Sequence, residues 1–206
     1  MAALDIPTPH GPARAHLEPV AEARGALILG HGAGGGITAP DLQAAAAVAG
    51  EHRLTVALVE QPYRVAGRRS PAPAAQLDVA FGAIVGQLRA QALGAVPTIL
   101  GGRSSGARVA CRTANALGAA GVLCLAFPLL PPRRARAARE PESRLPELDA
   151  VVAPTLVVQG RRDPFGIPPA GPRRQVVEVG ADHSLRSDLS GLRAAIADWL
   201  DGLTLA

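Results

Sequence analysis

The sequence contains no lysine and only five aromatic residues among its 206 positions. So few aromatic side chains offer little surface for stacking nucleobases, which argues against a protein that binds single-stranded nucleic acid. All 21 basic residues are arginine, and the formal net charge is +4. Because alanine is also abundant, the arginine excess is typical of a biased coding sequence, and the charge alone does not indicate nucleic acid. We expect no nucleic-acid partner.

Long apolar runs and cysteine clusters are missing as well. No apolar segment approaches the roughly 20 residues of a membrane-spanning helix, and residues 1–10 lack the basic flank and apolar stretch of a signal peptide. We therefore expect no membrane partner and a cytoplasmic location. The two cysteines, Cys111 and Cys124, form no CxxC motif and no cluster with histidine, which argues against disulfides and zinc. We expect two buried, reduced thiols, no metal and no cofactor; the oligomeric state stays open.

Short apolar segments alternate with longer segments of helical periodicity. The first kind predicts buried parallel strands, at residues 26–29, 55–59, 98–100, 121–127, 155–158 and 175–179. The second kind predicts helices, at residues 77–88, 107–117 and 189–200. This alternation is typical of an α/β fold with a mostly parallel, doubly wound sheet. At roughly 150 residues per domain, residues 1–206 should form a single domain.

Two further patterns concern the borders of the sheet. Ala13, Ala15 and Leu17 alternate with polar residues, which predicts a half-buried strand at a sheet edge. Long proline-rich loops follow predicted strands, at residues 64–73, 131–141 and 161–174. Loops of this kind emerge at the carboxyl edge of a parallel sheet, where ligands bind. The segment between residues 127 and 155 is too short for a large cap domain, but residues 131–141 could form a lid.

The three long loops are strongly basic. They hold 11 of the 21 arginines and only two acidic residues, Glu140 and Asp163. A basic rim would attract anionic substrates, with Arg64, Arg68 and Arg69 as the candidate substrate-binding residues. Solvated arginines that face away from the site are an equally compatible interpretation.

Residues 102–106, Gly-Arg-Ser-Ser-Gly, follow a predicted strand and open a predicted helix. This is the G-x-S-x-G pattern of a nucleophile elbow in the context that the elbow requires. The spacing selects Ser104 rather than Ser105, because the flanking glycines must leave room for close backbone approach. An ordinary strand-to-helix turn is the alternative.

A serine hydroxyl needs an imidazole to accept its proton and a carboxylate to orient that imidazole. Asp163 follows the predicted strand at residues 155–158, and His183 follows the strand at 175–179. The order Ser, Asp, His along the chain is that of the α/β-hydrolases. Asp182 is the competing acid, although a residue adjacent to His183 normally points away from its ring.

The glycine-rich turn Gly-His-Gly-Ala-Gly-Gly-Gly at residues 30–36 allows two interpretations. In a hydrolase, backbone N–H groups of such a turn hold the oxyanion; Ala33 and Ser105 are the expected donors, with Gly32 as a further candidate, and His31 braces the turn. The same glycines match the G-x-G-x-x-G fingerprint of a dinucleotide site, with Glu60 as the acidic partner. Glu60 stands later than that fingerprint requires, and this alternative leaves the Ser, Asp and His residues unexplained.

These motifs resemble a small α/β-hydrolase of the dienelactone-hydrolase-like branch. More narrowly, the sequence is similar to a bacterial family that shares the hydrolase-like domain of a nonspecific-lethal chromatin complex subunit and its testis-expressed relatives. The resemblance rests on GHGAGG, QPYRVAGRR, GGRSSGARVA, QGRRDPFG and HSL. It implies a nucleophile at Ser104, an acid at Asp163 and a base at His183. Dienelactone hydrolases carry a cysteine nucleophile, so Ser104 argues against their substrate.

The sequence therefore predicts a serine hydrolase that cleaves an ester, thioester or related acyl bond of a small molecule. A catalytically silent scaffold or partner-binding module on the same fold is the main alternative, because a fold does not guarantee an activity. The two hypotheses differ in their reaction with a covalent serine probe.

Overall fold

The computed structural model describes residues 2–131 and 142–205. Within them lie eight strands: β1 Ala2–Ile6, β2 Ala13–Glu18, β3 Gly25–Gly30, β4 Leu54–Glu60, β5 Thr98–Arg103, β6 Gly121–Leu125, β7 Thr155–Gly160 and β8 Arg174–Val179. The same residues contain six α-helices: α1 Pro40–Glu51, α2 Pro62–Val65, α3 Ala74–Leu88, α4 Ser105–Thr113, α5 Leu145–Asp149 and α6 Leu189–Gly202. A π-helical turn, Arg89–Leu93, extends α3, and a 3₁₀ turn, Arg186–Asp188, precedes α6.

The strands form one sheet in the order β1-β2-β4-β3-β5-β6-β7-β8. Strands β3 to β8 are parallel to one another, whereas β2 pairs antiparallel with β4 and β1 pairs antiparallel with β2. All six residues of β3 are buried, because helices cover both faces: α1 and α6 pack on one, α3 and α4 on the other. The predicted doubly wound, mostly parallel α/β fold is confirmed.

Strand β2 does not lie at the edge of the sheet, contrary to the sequence-based expectation. Ala13 and Ala15 are fully buried, as the alternation predicted. However, β1 pairs with β2 in the register Ala2↔Leu17 and is itself the edge strand. Alternation reports that one face of a strand is buried, and it carries no information about which strand lies beside it.

The long loop after β7 runs from the carboxyl ends of the strands back to their amino ends. This path corrects the expected position of two arginines. The register pairs Arg174 with Thr155, the first residue of β7. Arg173 and Arg174 therefore lie at the amino edge of the sheet, away from the carboxyl ends of β3, β5 and β7. A parallel strand must begin at the amino edge, so a loop that leads into it cannot stay at the carboxyl edge along its whole length.

The connection between β6 and β7 contains one short helix, α5, in its described part. Within residues 126–131 and 142–154 there is no cap domain. The segment at residues 131–141 that could form a lid lies outside the described residues, apart from Pro131. The same holds for four of the expected rim arginines: Arg133, Arg134, Arg136 and Arg139. Among the described helices, none has the length and apolar character needed to cross a membrane.

Cys111 on α4 and Cys124 on β6 are free, buried thiols, as expected. Their sulfur atoms lie 3.4 Å apart in the core. The hydrogen bond with Cys111, together with burial, raises the pKa of the Cys124 thiol well above its ordinary value, so this thiol stays protonated and unreactive.

Candidate active site

Ser104 stands at the sharp turn between β5 and α4, with φ 52° and ψ −107°. A positive φ is costly for serine, and it persists only where the surroundings fix the backbone. The N–H of Ser104 donates to the carbonyl oxygen of Leu125 at 2.9 Å, which anchors the turn on the neighbouring strand. Ser104 is half-buried and stands at the carboxyl edge of the sheet.

The two glycines around Ser104 allow the elbow to touch the turn that follows β3. A Cβ on Gly102 would lie 2.5 Å from the carbonyl oxygen of Gly30, and a Cβ on Gly106 would overlap that same carbonyl group. Neither position therefore accepts a side chain without movement of the backbone. This close contact also places the glycine-rich turn beside the serine.

His183 bridges Ser104 and Asp163. Its Nε2 lies 3.0 Å from Oγ of Ser104, and its Nδ1 lies 2.7 Å from Oδ2 of Asp163. The imidazole packs against the ring of Phe165 in a T-shaped arrangement, with ring centroids 4.5 Å apart. The structure thus brings together, from three separate loops, the three residues that the sequence predicted as nucleophile, acid and base.

Asp163 is itself fixed on both oxygens. Its Oδ2 accepts a hydrogen bond from Nε2 of Gln159 at 2.8 Å, and its Oδ1 accepts one from the N–H of Phe165 at 2.9 Å. Gln159 is fully buried, and its amide nitrogen also lies 3.1 Å from the carbonyl oxygen of Phe127. The carboxylate therefore has a defined orientation towards the imidazole.

Asp182, the competing acid, makes a different set of contacts. Its Oδ1 accepts hydrogen bonds from the N–H and the hydroxyl of Ser184, at 2.8 and 2.6 Å. These bonds lower the pKa of this exposed carboxyl. Asp182 thus stabilises the turn around His183, and the carboxylate in contact with the imidazole is Asp163.

The turn after β3 is held by two side chains that bond to its carbonyl groups. Nδ1 of His31 lies 2.8 Å from the carbonyl oxygen of Gly32, and the hydroxyl of Tyr63 donates to the carbonyl oxygen of Ala33 at 3.0 Å. In a trans peptide the N–H points away from the preceding carbonyl oxygen, so fixing the Gly32 carbonyl also fixes the direction of the Ala33 N–H. Ser105 begins α4, where the first N–H groups have no partner within the helix.

The glycine-rich turn does not match the context of a dinucleotide site. Helix α1 begins only at Pro40, so residues 37–39 separate it from the last glycine. The carboxylate of Asp41 occupies the first turn of that helix and binds Arg103. Glu60, the expected acidic partner, is bonded to Nε2 of His16 at 2.9 Å.

The three candidate substrate-binding arginines differ in position. Arg64 is half-buried, and its guanidinium lies 3.9 Å from the position that a Cβ on Gly36 would occupy. Arg68 and Arg69 are exposed. In the described residues none of the three forms an ion pair, in contrast to arginines such as Arg108 and Arg112.

Two depressions of about 340 and 400 Å³ lie far from this constellation. Both are lined by Thr155, Arg173 and Arg174 at the amino edge of the sheet. These two depressions therefore lie at the opposite ends of the strands from Ser104.

Sequence reasoning missed several residues that shape the site. Gln159 and Phe165 stand within the QGRRDPFG segment that supported the family resemblance, but their contacts depend on the path of the loop after β7. Arg103 occupies a position that the elbow pattern leaves free. Tyr63 is the single tyrosine, and it stands within the QPYRVAGRR segment that supported the family resemblance.

Several solved structures share the fold at low sequence identity. An α/β serine hydrolase without lid from Xanthomonas campestris is 20% identical, with a TM-score of 0.75, over 100% of this chain and 95% of that one. Est1E from Butyrivibrio proteoclasticus is 14% identical, with a TM-score of 0.77, over 98% and 99%. Dienelactone hydrolase from Anabaena variabilis is 16% identical, with a TM-score of 0.75, over 100% and 98%.

No curated protein is significantly similar to the chain. The family model described as "Alpha/beta hydrolase domain" matches residues 23–187, which confirms the expected fold and the expected hydrolase class. The narrower resemblance, to the relatives of the chromatin complex subunit, stays a prediction. With most of its length matched, the chain belongs to the alpha/beta hydrolase family.

Proposed function

We propose that the protein is a serine hydrolase that cleaves an ester, thioester or related acyl bond in a small molecule. Ser104 is the nucleophile, His183 the general base and Asp163 the residue that orients the base. The observation that carries the proposal is the chain of hydrogen bonds from Asp163 through His183 to Ser104, at 2.7 and 3.0 Å. A chain of these residue types is what activates a serine hydroxyl in acyl transfer.

The direction of proton transfer follows from the contacts of the imidazole. Asp163 accepts a hydrogen bond from the Nδ1–H of His183, so Nε2 keeps its lone pair and takes the proton of Ser104 as Oγ attacks the acyl carbon. His183 then gives this proton to the leaving oxygen or sulfur, and the C–O or C–S bond breaks. Nε2 next takes a proton from water as the water oxygen attacks the acyl carbon, and His183 gives this proton to Oγ of Ser104 as the acyl–Oγ bond breaks.

The backbone N–H groups of Ala33 and Ser105 hold the oxyanion of the tetrahedral intermediate, with Gly32 as a further candidate. Support for Ala33 comes from the bond between His31 and the Gly32 carbonyl, which sets the orientation of the Ala33 N–H before substrate arrives. Donors that are already oriented stabilise developing charge without a cost of reorganisation. Ser105 contributes from the start of α4, where the helix dipole favours negative charge.

The site prefers substrates that carry a negative charge. Five arginines without an ion pair in the described residues lie on the segments that follow β4 and β7: Arg64 on the short helix α2, Arg68 and Arg69 after that helix, and Arg161 and Arg162 directly after β7. Arg64 supports the preference most directly, because it lies half-buried against the glycine-rich turn. A cluster of positive charge at the mouth of a site raises the local concentration of an anion and its rate of capture.

Labelling with a fluorophosphonate probe tests the proposal. The wild-type protein should react covalently, Ser104→Ala should not, and Ser105→Ala should still react because it keeps its backbone N–H. A wild-type protein that does not react would instead support the silent scaffold. Labelling that survives in Ser104→Ala but is lost in Ser105→Ala would show that Ser105 is the nucleophile and that the assignment of Ser104 is wrong.

A further inference from the structure

Arg103 connects the nucleophile elbow to two distant parts of the chain. Its Nε donates to Oδ2 of Asp41 at 3.1 Å, and its Nη2 donates to the carbonyl oxygen of His183 at 3.0 Å. Asp41 lies at the start of α1, and His183 lies in the loop after β8. One side chain thus joins three segments of the chain at the carboxyl edge of the sheet.

Asp41 is a fixed anchor for this arginine. The residue is only 1% exposed, and its Oδ1 accepts a hydrogen bond from the N–H of Leu42 at 3.0 Å. Burial raises the pKa of Asp41, while the charge of Arg103 acts in the opposite direction. Removing one partner of a buried ion pair destabilises the fold strongly, because the other charge then stays buried and unpaired.

The guanidinium also packs on the glycine-rich turn. A Cβ on Gly32 would lie 3.0 Å from Nη1 and 3.4 Å from Cδ of Arg103. The arginine therefore touches the turn with the candidate oxyanion donors as well as the loop that carries His183. The contacts need a planar group with several donors in fixed directions, which lysine does not provide.

The hydrogen bond from Arg103 to the His183 carbonyl restrains the backbone of His183, which the contacts of the imidazole ring do not. The bonds at Nδ1 and Nε2 fix the rotation of the imidazole, whereas the carbonyl bond fixes the backbone from which the ring extends. Leu185, two residues further on, has a left-handed conformation with φ 55°, so this loop has an unusual path that must be held in place.

We propose that Arg103, anchored by Asp41, is a positioning residue that holds the His183 loop on the nucleophile elbow and the glycine-rich turn. This inference rests on the proposed function of His183 as the base. Loss of the arginine leaves the Ser104, His183 and Asp163 side chains intact but lets the imidazole move away from Oγ. A displacement of about 1 Å at a reacting group costs on the order of 100-fold in rate.

The test compares Arg103→Met with Arg108→Met. Arg108 is a matched control, because it also lies half-buried near the start of α4 but pairs with Glu147, at 2.9 Å, away from the triad. With a neutral ester, Arg103→Met should lower kcat by about 100-fold with little change in KM. Arg108→Met should keep the wild-type kcat even if its thermal stability falls.

A second readout needs no turnover. The Nδ1 proton that His183 shares with Asp163 should give a far-downfield proton resonance in the wild-type protein. This resonance should persist in Arg108→Met and should broaden or disappear in Arg103→Met, because the loop is no longer held. Asp41→Asn keeps the size of the side chain and should show the same changes to a smaller degree; it also serves if Arg103→Met does not fold.

Wild-type kcat and an unchanged resonance in folded Arg103→Met, or in Asp41→Asn if only that variant folds, would overturn the inference. Equal losses of kcat in Arg103→Met and Arg108→Met would also overturn it, because the effect would then belong to α4 as a whole. A wild-type protein without hydrolysis or probe labelling would refute the proposed function instead. The resonance would still decide whether Arg103 holds the histidine.

Discussion

The backbone N–H of Gln61 donates to Nε2 of His31 at 3.2 Å, inside the core. Because Nε2 accepts this bond, the ring proton must reside on Nδ1, from which it is donated to the carbonyl oxygen of Gly32 at 2.8 Å. A doubly protonated ring would direct its second proton at the Gln61 N–H. His31 therefore braces the glycine-rich turn only while it is neutral, and burial lowers its pKa from the ordinary value.

Acidification should destabilise the protein through His31. Its pKa in the folded state lies below the unfolded value of about 6.5, so the unfolded chain binds more protons below that pH. The stability due to the neutral ring is complete above about pH 6.5 and is lost as the pH falls towards the folded-state pKa. The free energy of urea unfolding, measured on both sides of this pH, should fall less on acidification in His31→Asn than in wild type.

His10 provides the control for that measurement, because it is exposed. His10→Asn should keep the pH dependence of the wild-type protein. An identical slope in wild type and His31→Asn would show that His31 is not the residue responsible.

Substitutions in the triad should differ in a defined order. Ser104→Ala and His183→Ala should each reduce kcat by up to about a million-fold, because the residues act as a unit. Asp163→Asn should cost on the order of ten-thousand-fold, since the histidine loses its tautomer.

Asp182→Asn is the matched control for the acid, since Asp182 bonds to Ser184 and not to the ring. Steady-state kinetics should give it a near-wild-type kcat. A severe defect in Asp182→Asn with a mild one in Asp163→Asn would reverse the assignment.

Gly106→Ala should destabilise the fold strongly. Its Cβ would overlap the carbonyl of Gly30, and overpacking that forces the backbone to shift costs about 1–3 kcal/mol, occasionally more. Gly86 lies within α3, and a Cβ there meets nothing within 4 Å. Gly86→Ala should therefore stabilise the protein by about 0.5–1 kcal/mol. Chemical denaturation measures the free energy of unfolding of both variants. An unchanged free energy of unfolding in Gly106→Ala would contradict the packing of the elbow on the turn.

Added salt should reduce kcat/KM for charged substrates more than for neutral ones. For matched esters with and without a carboxylate, kcat/KM of the charged ester should fall with ionic strength, by on the order of tenfold, whereas that of the neutral ester should change little. Arg64→Ala and Arg68→Ala should reduce this preference.

Arg173→Ala is the control for the rim, because Arg173 lies at the amino edge beside Thr155, where the two residues line a depression remote from the triad. It should keep the wild-type ratio of charged to neutral ester. A ratio that responds neither to salt nor to the Arg64 and Arg68 substitutions would exclude charge selection by the rim.

The sequence by itself determined the alternation of strands and helices and the order Ser104, Asp163 and His183 along the chain. These features depend on neighbours within a few positions: the period of apolar residues, and the glycines around the elbow. A buried parallel strand such as β3 must be apolar throughout because helices cover both of its faces, so its signal is contained in six consecutive residues.

The tertiary structure alone decided which residues meet across long stretches of chain. Arg103 reaches Asp41 and the His183 carbonyl because β3 and β5 are adjacent in the sheet and the β8 loop turns back over their ends. The same sheet order puts β1, not β2, at the edge. Local periodicity records which face of an element is buried, whereas the partner that buries it depends on the strand order and on the paths of the loops.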